Sequence, residues 1–220
     1  MTESAVFDPG CRQCPRLAEF LDEVRSRHPD YQCAPVAPFG DAKARLLIVG
    51  LAPGMHGANA SGRPFTGDHA GILLYQTLFD FGYSTAPESR ARDDGLRLKG
   101  ARLTNAVKCL PPQNKPDGSE VRTCNGFLKA ELAGLPQGAV VLALGRIAHG
   151  AVLRALGKRQ AEFAFGHGAQ HPLERGWLLD SYHCSRYNTQ TRRLTPAMFT
   201  AVFEQADRLL GRERSRRPAI

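Results

Sequence analysis

No stretch of the 220-residue chain approaches the length of a membrane span, and residues 1–7 lack the basic and apolar regions of a secretory leader. The expectation is a soluble, cytoplasmic protein. Neither a P-loop nor a Gly-x-Gly-x-x-Gly spacing is present, which argues against a nucleotide cofactor. No second carboxylate stands close in sequence to Asp68, so a paired-carboxylate glycoside hydrolase finds little support. Internal repeats, heptads and linker-like composition are also missing, and residues 1–220 read as one domain that is expected to be a monomer. Acid is scarce: 21 Asp and Glu face 29 Lys and Arg, a formal charge of +8 that favours a polyanionic partner. The last ten residues carry Arg212, Arg214, Arg216 and Arg217 against Glu213, so part of that excess belongs to a basic tail from about residue 211 that is expected to be disordered.

What is present centres on Leu46-Leu47-Ile48-Val49-Gly50, an apolar run that breaks at Leu51-Ala52-Pro53-Gly54. Such a run reads as a buried parallel strand whose end exposes backbone N–H groups. Five glycines lie between Gly54 and Gly71, too many for a helix, and the same stretch holds His56, Phe65, Asp68 and His69. Further strands are expected over 101–107, 139–145 and 177–183. Helical spacing is found over 15–28, 71–81, 120–132, 146–156 and 195–210. Strand and helix alternate, which predicts an α/β fold with a four-stranded parallel sheet between two helical layers. Ligands in such sheets bind at the carboxyl ends of the strands. The loops Gly50 to Asp68, Asn105 to Pro116 and Ser181 to Thr191 are therefore expected to face one another.

Six cysteines in a cytoplasmic chain point to metal ligands or free thiols rather than disulfides. Cys11 and Cys14 form a Cys-x-x-Cys at a helix start, and Cys109 and Cys124 supply a wider second pair. Thiolates at this spacing suit zinc or an iron-sulfur cluster, the wide second pair favouring a cluster. The plain alternative is that Cys109 and Cys124 are buried thiols. Cys33 and Cys184 have no partner at ligand spacing and are taken as structural.

In the three loops, Phe65 is suited to stack on a flat ring, backbone after Gly50 to hydrogen-bond it, and Asn105 or Asn114 to read an amide-like edge. His183 is suited to donate to an oxygen that gathers charge, and Asp68 to orient water or stabilise a cation. Each has a plainer duty open to it. Phe65 could plug the core, Asp68 could cap the following helix, the two Asn could tie down their loop, and His183 could be a satisfied strand-end residue.

These stretches together resemble a known family. Gly50-Leu51-Ala52-Pro53-Gly54, Gly62-Arg63-Pro64-Phe65-Thr66-Gly67-Asp68, Pro111-Pro112 with Asn114-Lys115-Pro116, Ala143-Leu144-Gly145-Arg146 and Ser181 to Arg186 with Asn188 to Thr191 are similar to the family 5 (UDGb type) uracil-DNA glycosylases. The resemblance runs from Cys11 to about Leu210. It implies a three-layer α/β/α sandwich and a structural [4Fe-4S] cluster on Cys11, Cys14, Cys109 and Cys124, with zinc as the alternative. It also implies a monofunctional enzyme that flips uracil, or another deaminated or damaged base such as hypoxanthine, xanthine or ethenocytosine, out of DNA and hydrolyses its glycosidic bond.

By the same resemblance Asp68 and His183 are the catalytic pair. Gly50, Ala52, Pro53, Gly54, His56, Phe65, Asn105 and Asn114 hold the base, and Ser185, Arg186, Asn188, Thr189 and Gln190 enter the DNA. One position departs from the pattern: family 5 often has a small residue where this chain has Asn105, whereas family 4 uses Asn there to read uracil. A sharpened preference for uracil is therefore expected. The competing classes are a non-catalytic nucleic-acid-binding protein that kept the fold and metal centre, and an enzyme of the same fold acting on RNA.

Overall fold

The computed structural model describes residues 7–212. The expected start of the basic tail is only partly inside that range: Arg212 belongs to the fold, its guanidinium 4.0 Å from the Tyr83 ring centroid and 3.1 Å from Asp207, and the remainder lies outside the described residues.

Four parallel strands form the middle of the sheet: β2 (Leu46–Gly50), β3 (Ala101–Asn105), β4 (Ala139–Leu144) and β6 (Gly176–Ser181). The expected parallel sheet is present, but it is the centre of a six-stranded one, ordered β1-β3-β2-β4-β6-β5. The two additions, β1 (Phe39–Gly40) and β5 (Gln170–Leu173), pair antiparallel at the edges. Sequence periodicity misses them for physical reasons. One is two residues long, and the other carries Pro172, which cannot donate to a ladder and suits an outer strand.

Pleating divides the central residues between two cores. Leu46 and Ile48 of β2 point to α3 (His69–Asp80) and α7 (Pro196–Leu209), joining Leu74, Tyr75, Phe199 and Phe203. Leu47 and Val49 point the other way, to α4 (Gly118–Ala133) and α5 (Arg146–Ala155), joining Leu128, Ala148, Val152 and Leu153. Every residue of β2 and β4 is buried, as strands covered on both faces must be. A separate helix, α1 (Pro15–Arg27), packs Leu17, Leu21 and Val24 beyond this sandwich, near the cysteines.

The chain runs from β2 outward to β3 and then back across β2 to β4, so strand order reverses between β2 and β4. At such a reversal the connections leave the sheet in opposite directions and open a crevice at the carboxyl ends. The loops after Gly50 and after Leu144 border it.

Candidate active site and cysteine centre

A cleft of about 660 Å³ lies at that reversal. Its walls come from all three expected loops: Leu51, Ala52, Gly54, Phe65 and Asp68 from the first, Asn114 from the second, and His183, Ser185 and Arg186 from the third. The sheet explains their convergence, since each loop leaves the same end of a parallel strand. A fourth strand contributes as well, through Gly145, Arg146 and Ile147 at the start of α5.

Asp68 occupies the residue before α3, yet its side chain makes no bond to that helix's free N–H groups. The helix-cap alternative is therefore set aside. Its Oδ2 accepts the Ala58 N–H at 3.2 Å, at the start of the short helix α2 (Ala58–Ser61), and the Gly54 N–H adds a second bond. Burial pushes the carboxyl above its ordinary range, and these two donors pull it partly back. Two glycines make the approach possible. A Cβ on Gly54 would lie 2.0 Å from Asp68 Oδ1, and one on Gly57 2.1 Å from it.

Phe65 stands in the left-handed region (φ 61°), unusual for a bulky side chain, and is buried. Gly50 lets its ring cross the end of β2, since a Cβ there would meet Phe65 Cζ at 2.5 Å. The surrounding turn is braced by Arg63, a buried residue hydrogen-bonded to Ser89 at 2.9 Å, to Asp94 at 2.7 Å and to the Arg92 carbonyl, with Phe39 under its guanidinium at 4.5 Å. Although burial opposes it, the bonds from Arg63 and three backbone N–H groups hold Asp94 down to about 2. Thr66 Oγ1 joins the brace through Ser89 Oγ at 2.7 Å. In sequence the stretch 83–100 looks like a plain polar loop; its structural duty rests on one Arg–Asp pair 31 residues apart, which no local pattern displays.

His183 sits on the far side, beside Gly145, and removal from water lowers it to about 4. It is thus a neutral imidazole at physiological pH. Its backbone carbonyl accepts the Asn188 side-chain amide at 2.8 Å. The segment expected as a loop is a short helix, α6 (Arg186–Gln190), whose first free N–H groups are met by Ser185 accepting from Asn188 N. Thr189 bonds His69 Nε2 at 3.0 Å, tying this helix to α3. Of the five residues expected to enter DNA, Ser185 and Arg186 line the cleft, Asn188 and Thr189 are engaged in holding the turn, and Gln190 is exposed outside the lining.

The base-holding set is also divided. Ala52, Gly54, Phe65 and Asn114 line the cleft, Gly50 lies under the Phe65 ring, and Pro53 is buried. Asn105 is buried outside the cleft lining, beside the tip of the same ring, with its Oδ1 lacking any hydrogen-bond partner. His56 does not line the cleft: it is exposed, and its Nδ1 meets Tyr31 Oη at 2.9 Å. The lining also holds Gln113, Ile147 and Tyr187, which the sequence did not single out, and His69, Lys115 and Arg146, which stand in the quoted stretches without a role. Their signal was adjacency to the named motifs. Tyr187 is 70% exposed at the cleft mouth, a large ring with no core to fill.

The four cysteines converge elsewhere, around one small cavity with Leu17, Val107 and Phe127. Cys14 immediately precedes α1, Cys109 follows β3 and Cys124 is on α4; all are free thiols. Cys184 is buried in the core on the α3 and α7 side of the sheet, and Cys33 is buried with Leu21, Val24 and Leu110 in a cluster against which Cys109 packs. Burial first, then the neighbouring sulfurs, pushes Cys109 up to about 12; burial likewise raises Cys124 to about 11, against a bond from the Lys108 N–H at 3.2 Å. Such a group favours a cation among its sulfurs. Four sulfurs around one cavity form the donor set of a thiolate metal centre, open to zinc or to an iron-sulfur cluster.

The family model described as the uracil DNA glycosylase superfamily matches residues 37–207, which span the sheet and every wall of the cleft. A type-5 uracil-DNA glycosylase of Thermus thermophilus is 50% identical over 207 residues, covering 91% of this chain and 94% of that protein. A second, from Pyrobaculum aerophilum, is 42% identical over 200 residues, covering 89% and 87%. A type-4 uracil-DNA glycosylase of the same archaeon is 36% identical over 121 residues, 54% of each chain. By the family model and these relatives, the chain belongs to the uracil DNA glycosylase superfamily, on its type-5 branch.

Proposed function

We propose that this protein excises uracil from DNA, hydrolysing the bond between the base and C1′ to leave an abasic site. The observation that carries the reading is the opposition of two groups across one cleft: the partly buried Asp68 carboxylate and the neutral His183 imidazole, with the Phe65 ring at the end of the strand. Cleavage of this bond leaves positive charge on the sugar and negative charge on the base. A carboxylate beside the sugar stabilises the first and directs a water to C1′, while a neutral imidazole N–H donates to the base oxygen that collects the second. Water supplies the hydroxyl to C1′, and its proton balances the departing base anion.

A base inside a duplex cannot reach such a cleft without leaving the stack. Arg186 at the rim would meet phosphate, and the exposed Tyr187 is the ring best placed to fill the gap left behind. Phe65 would stack on the extruded base, and Asn105 would offer its free Oδ1 to an N–H of the ring and its amide to a neighbouring carbonyl, a pairing that accepts uracil and rejects cytosine. Hypoxanthine, xanthine and ethenocytosine belong to the reading as weaker substrates. Cys11, Cys14, Cys109 and Cys124 would hold a [4Fe-4S] cluster that joins α1, β3 and α4 and plays no part in the reaction. A monomer working in the cytoplasm completes the proposal.

The test is incubation of a uracil-containing duplex with wild type and Asp68→Asn, with and without alkali. The expected outcome is alkali-labile DNA from wild type alone, with no break before alkali. Breaks without alkali that vanish in Lys115→Ala would overturn the monofunctional reading, since Lys115 is the lysine in the cleft lining. Intact DNA throughout would favour a non-catalytic binding protein, and cleavage of the matching RNA would favour the RNA enzyme.

A further inference from the structure

We infer that Lys108 is a positioning residue that ties the cysteine centre to the base-reading end of β3. The inference rests on the proposed role of Asn105. Lys108 is 1% exposed, and its ammonium does not reach the cleft; it is absorbed by three partners. Nζ donates to Thr104 Oγ1 at 2.5 Å, to the Asn105 carbonyl at 2.9 Å and to Glu131 Oε1 of α4 at 2.6 Å. An ammonium has three protons, so this set uses all of them and fixes the head group in one place.

The consequence lies in what the partners do. Asn105 ends β3, and its Oδ1 and the Phe65 ring tip each come within 2.5 Å of where a Cβ on Gly50 would sit, which puts them within 5.0 Å of each other. The amide therefore stands beside the tip of the Phe65 ring, its Oδ1 without a hydrogen-bond partner. Lys108 grips its backbone from behind. On its other side the Lys108 N–H donates to Cys124 Sγ at 3.2 Å, its carbonyl accepts Val36 N at 2.8 Å, and Cys109 follows directly. One residue thus fixes the strand exit that carries Cys109, its contact with Cys124 on α4, and the residue proposed to face the base.

A buried ion pair is a costly way to hold a strand, and replacing both members by apolar groups is often neutral for stability. Glu131 Oε2 has no hydrogen-bond partner, so the pair is not an optimised stabiliser. Holding the end of β3 at one register explains the arrangement better than stability does.

The experiment is a double-mutant cycle between this pair and Asn105. Lys108→Met combined with Glu131→Met removes both charges; Asn105→Ala removes the amide. Single-turnover excision of uracil from duplex DNA, KM and iron content are measured for each and for the triple variant. The paired change is expected to keep iron and thermal stability near wild type, and to slow uracil excision at least tenfold. The triple variant should then be no slower than Asn105→Ala. Should the paired variant fold poorly, Lys108→Arg carries the same readout, since its forked head cannot make the three bonds from the same point. Additive losses, or excision unchanged on removing the pair, would overturn the inference alone. Unchanged excision by Asn105→Ala would overturn it together with the role of Asn105.

Discussion

The side-chain amide of Asn188 donates to the backbone carbonyl of His183 at 2.8 Å, closing the turn between β6 and α6 around the imidazole. Asn188 is not part of the cleft lining, and its backbone bond to Ser185 survives truncation of the side chain, so Asn188→Ala leaves the chemistry in place and loosens the proposed donor. The expected result is about tenfold slower uracil excision with binding of an abasic-site duplex little changed, measured by single-turnover kinetics and by titration.

Gly54→Ala places a methyl group where Asp68 Oδ1 now sits. The carboxylate must swing away from the Ala58 and Gly54 N–H groups, and excision should fall by a hundredfold or so while the protein stays folded. Circular dichroism beside the activity assay distinguishes this from collapse. Activity close to wild type would show that the carboxylate works from another position.

pH separates the two groups proposed as catalytic. Burial raises the Asp68 carboxyl, so excision should decline on the acid side as Asp68 takes up a proton, at a pH above the ordinary carboxylate range. His183 falls to about 4 from its ordinary 6.5 and stays neutral across that range. The sign for stability follows: between those two values the unfolded chain binds the proton that the folded one refuses. The contribution of His183 is complete above about 6.5 and is lost as pH drops toward about 4, at about 1.4 kcal/mol per unit as an upper limit. In denaturant melts, His183→Asn should flatten this part of the pH profile.

The cysteine centre predicts brown protein with a broad visible absorption band and about four iron atoms per chain, lost in Cys109→Ala along with several kcal/mol of stability. Colourless protein with stoichiometric zinc would sink the cluster and leave the fold untouched. Cys184→Ala should keep the colour, since that thiol lies apart from the other four.

Tyr187→Ala tests the stacking ring at the cleft mouth. Excision from a paired duplex should fall about tenfold or more, and excision from a single strand much less, because only a stacked site needs its gap filled. Equal losses on both substrates would assign the ring to general binding.

Sequence carried the central sheet well because β2 and β4 are apolar without interruption and their ends break at Gly and Pro. It also brought Asp68, Phe65 and His183 to one cleft, since three loops leaving the same end of parallel strands must meet. It was blind to partners chosen by folding. Arg63 finds Asp94 and Lys108 finds Glu131 over separations of 31 and 23 residues. His56 stands apart: the resemblance put the backbone from Ala52 to His56 against the base, and the His56 side chain turns outward to Tyr31. The glycines themselves were legible only as loop formers. Their real constraint, room for the Asp68 carboxylate and the Phe65 ring, depends on residues that arrive from elsewhere in the chain.

The left-handed backbone at Phe65 has a thermodynamic corollary. A bulky residue there costs about 1 kcal/mol or more and persists only because the Arg63 brace over-determines it. The free protein therefore already holds its ring face in the geometry proposed for stacking on a bound base. An arriving nucleotide meets a surface with little rotamer entropy left to lose, so ordering costs fall on the DNA, which must bend and unstack, rather than on the enzyme.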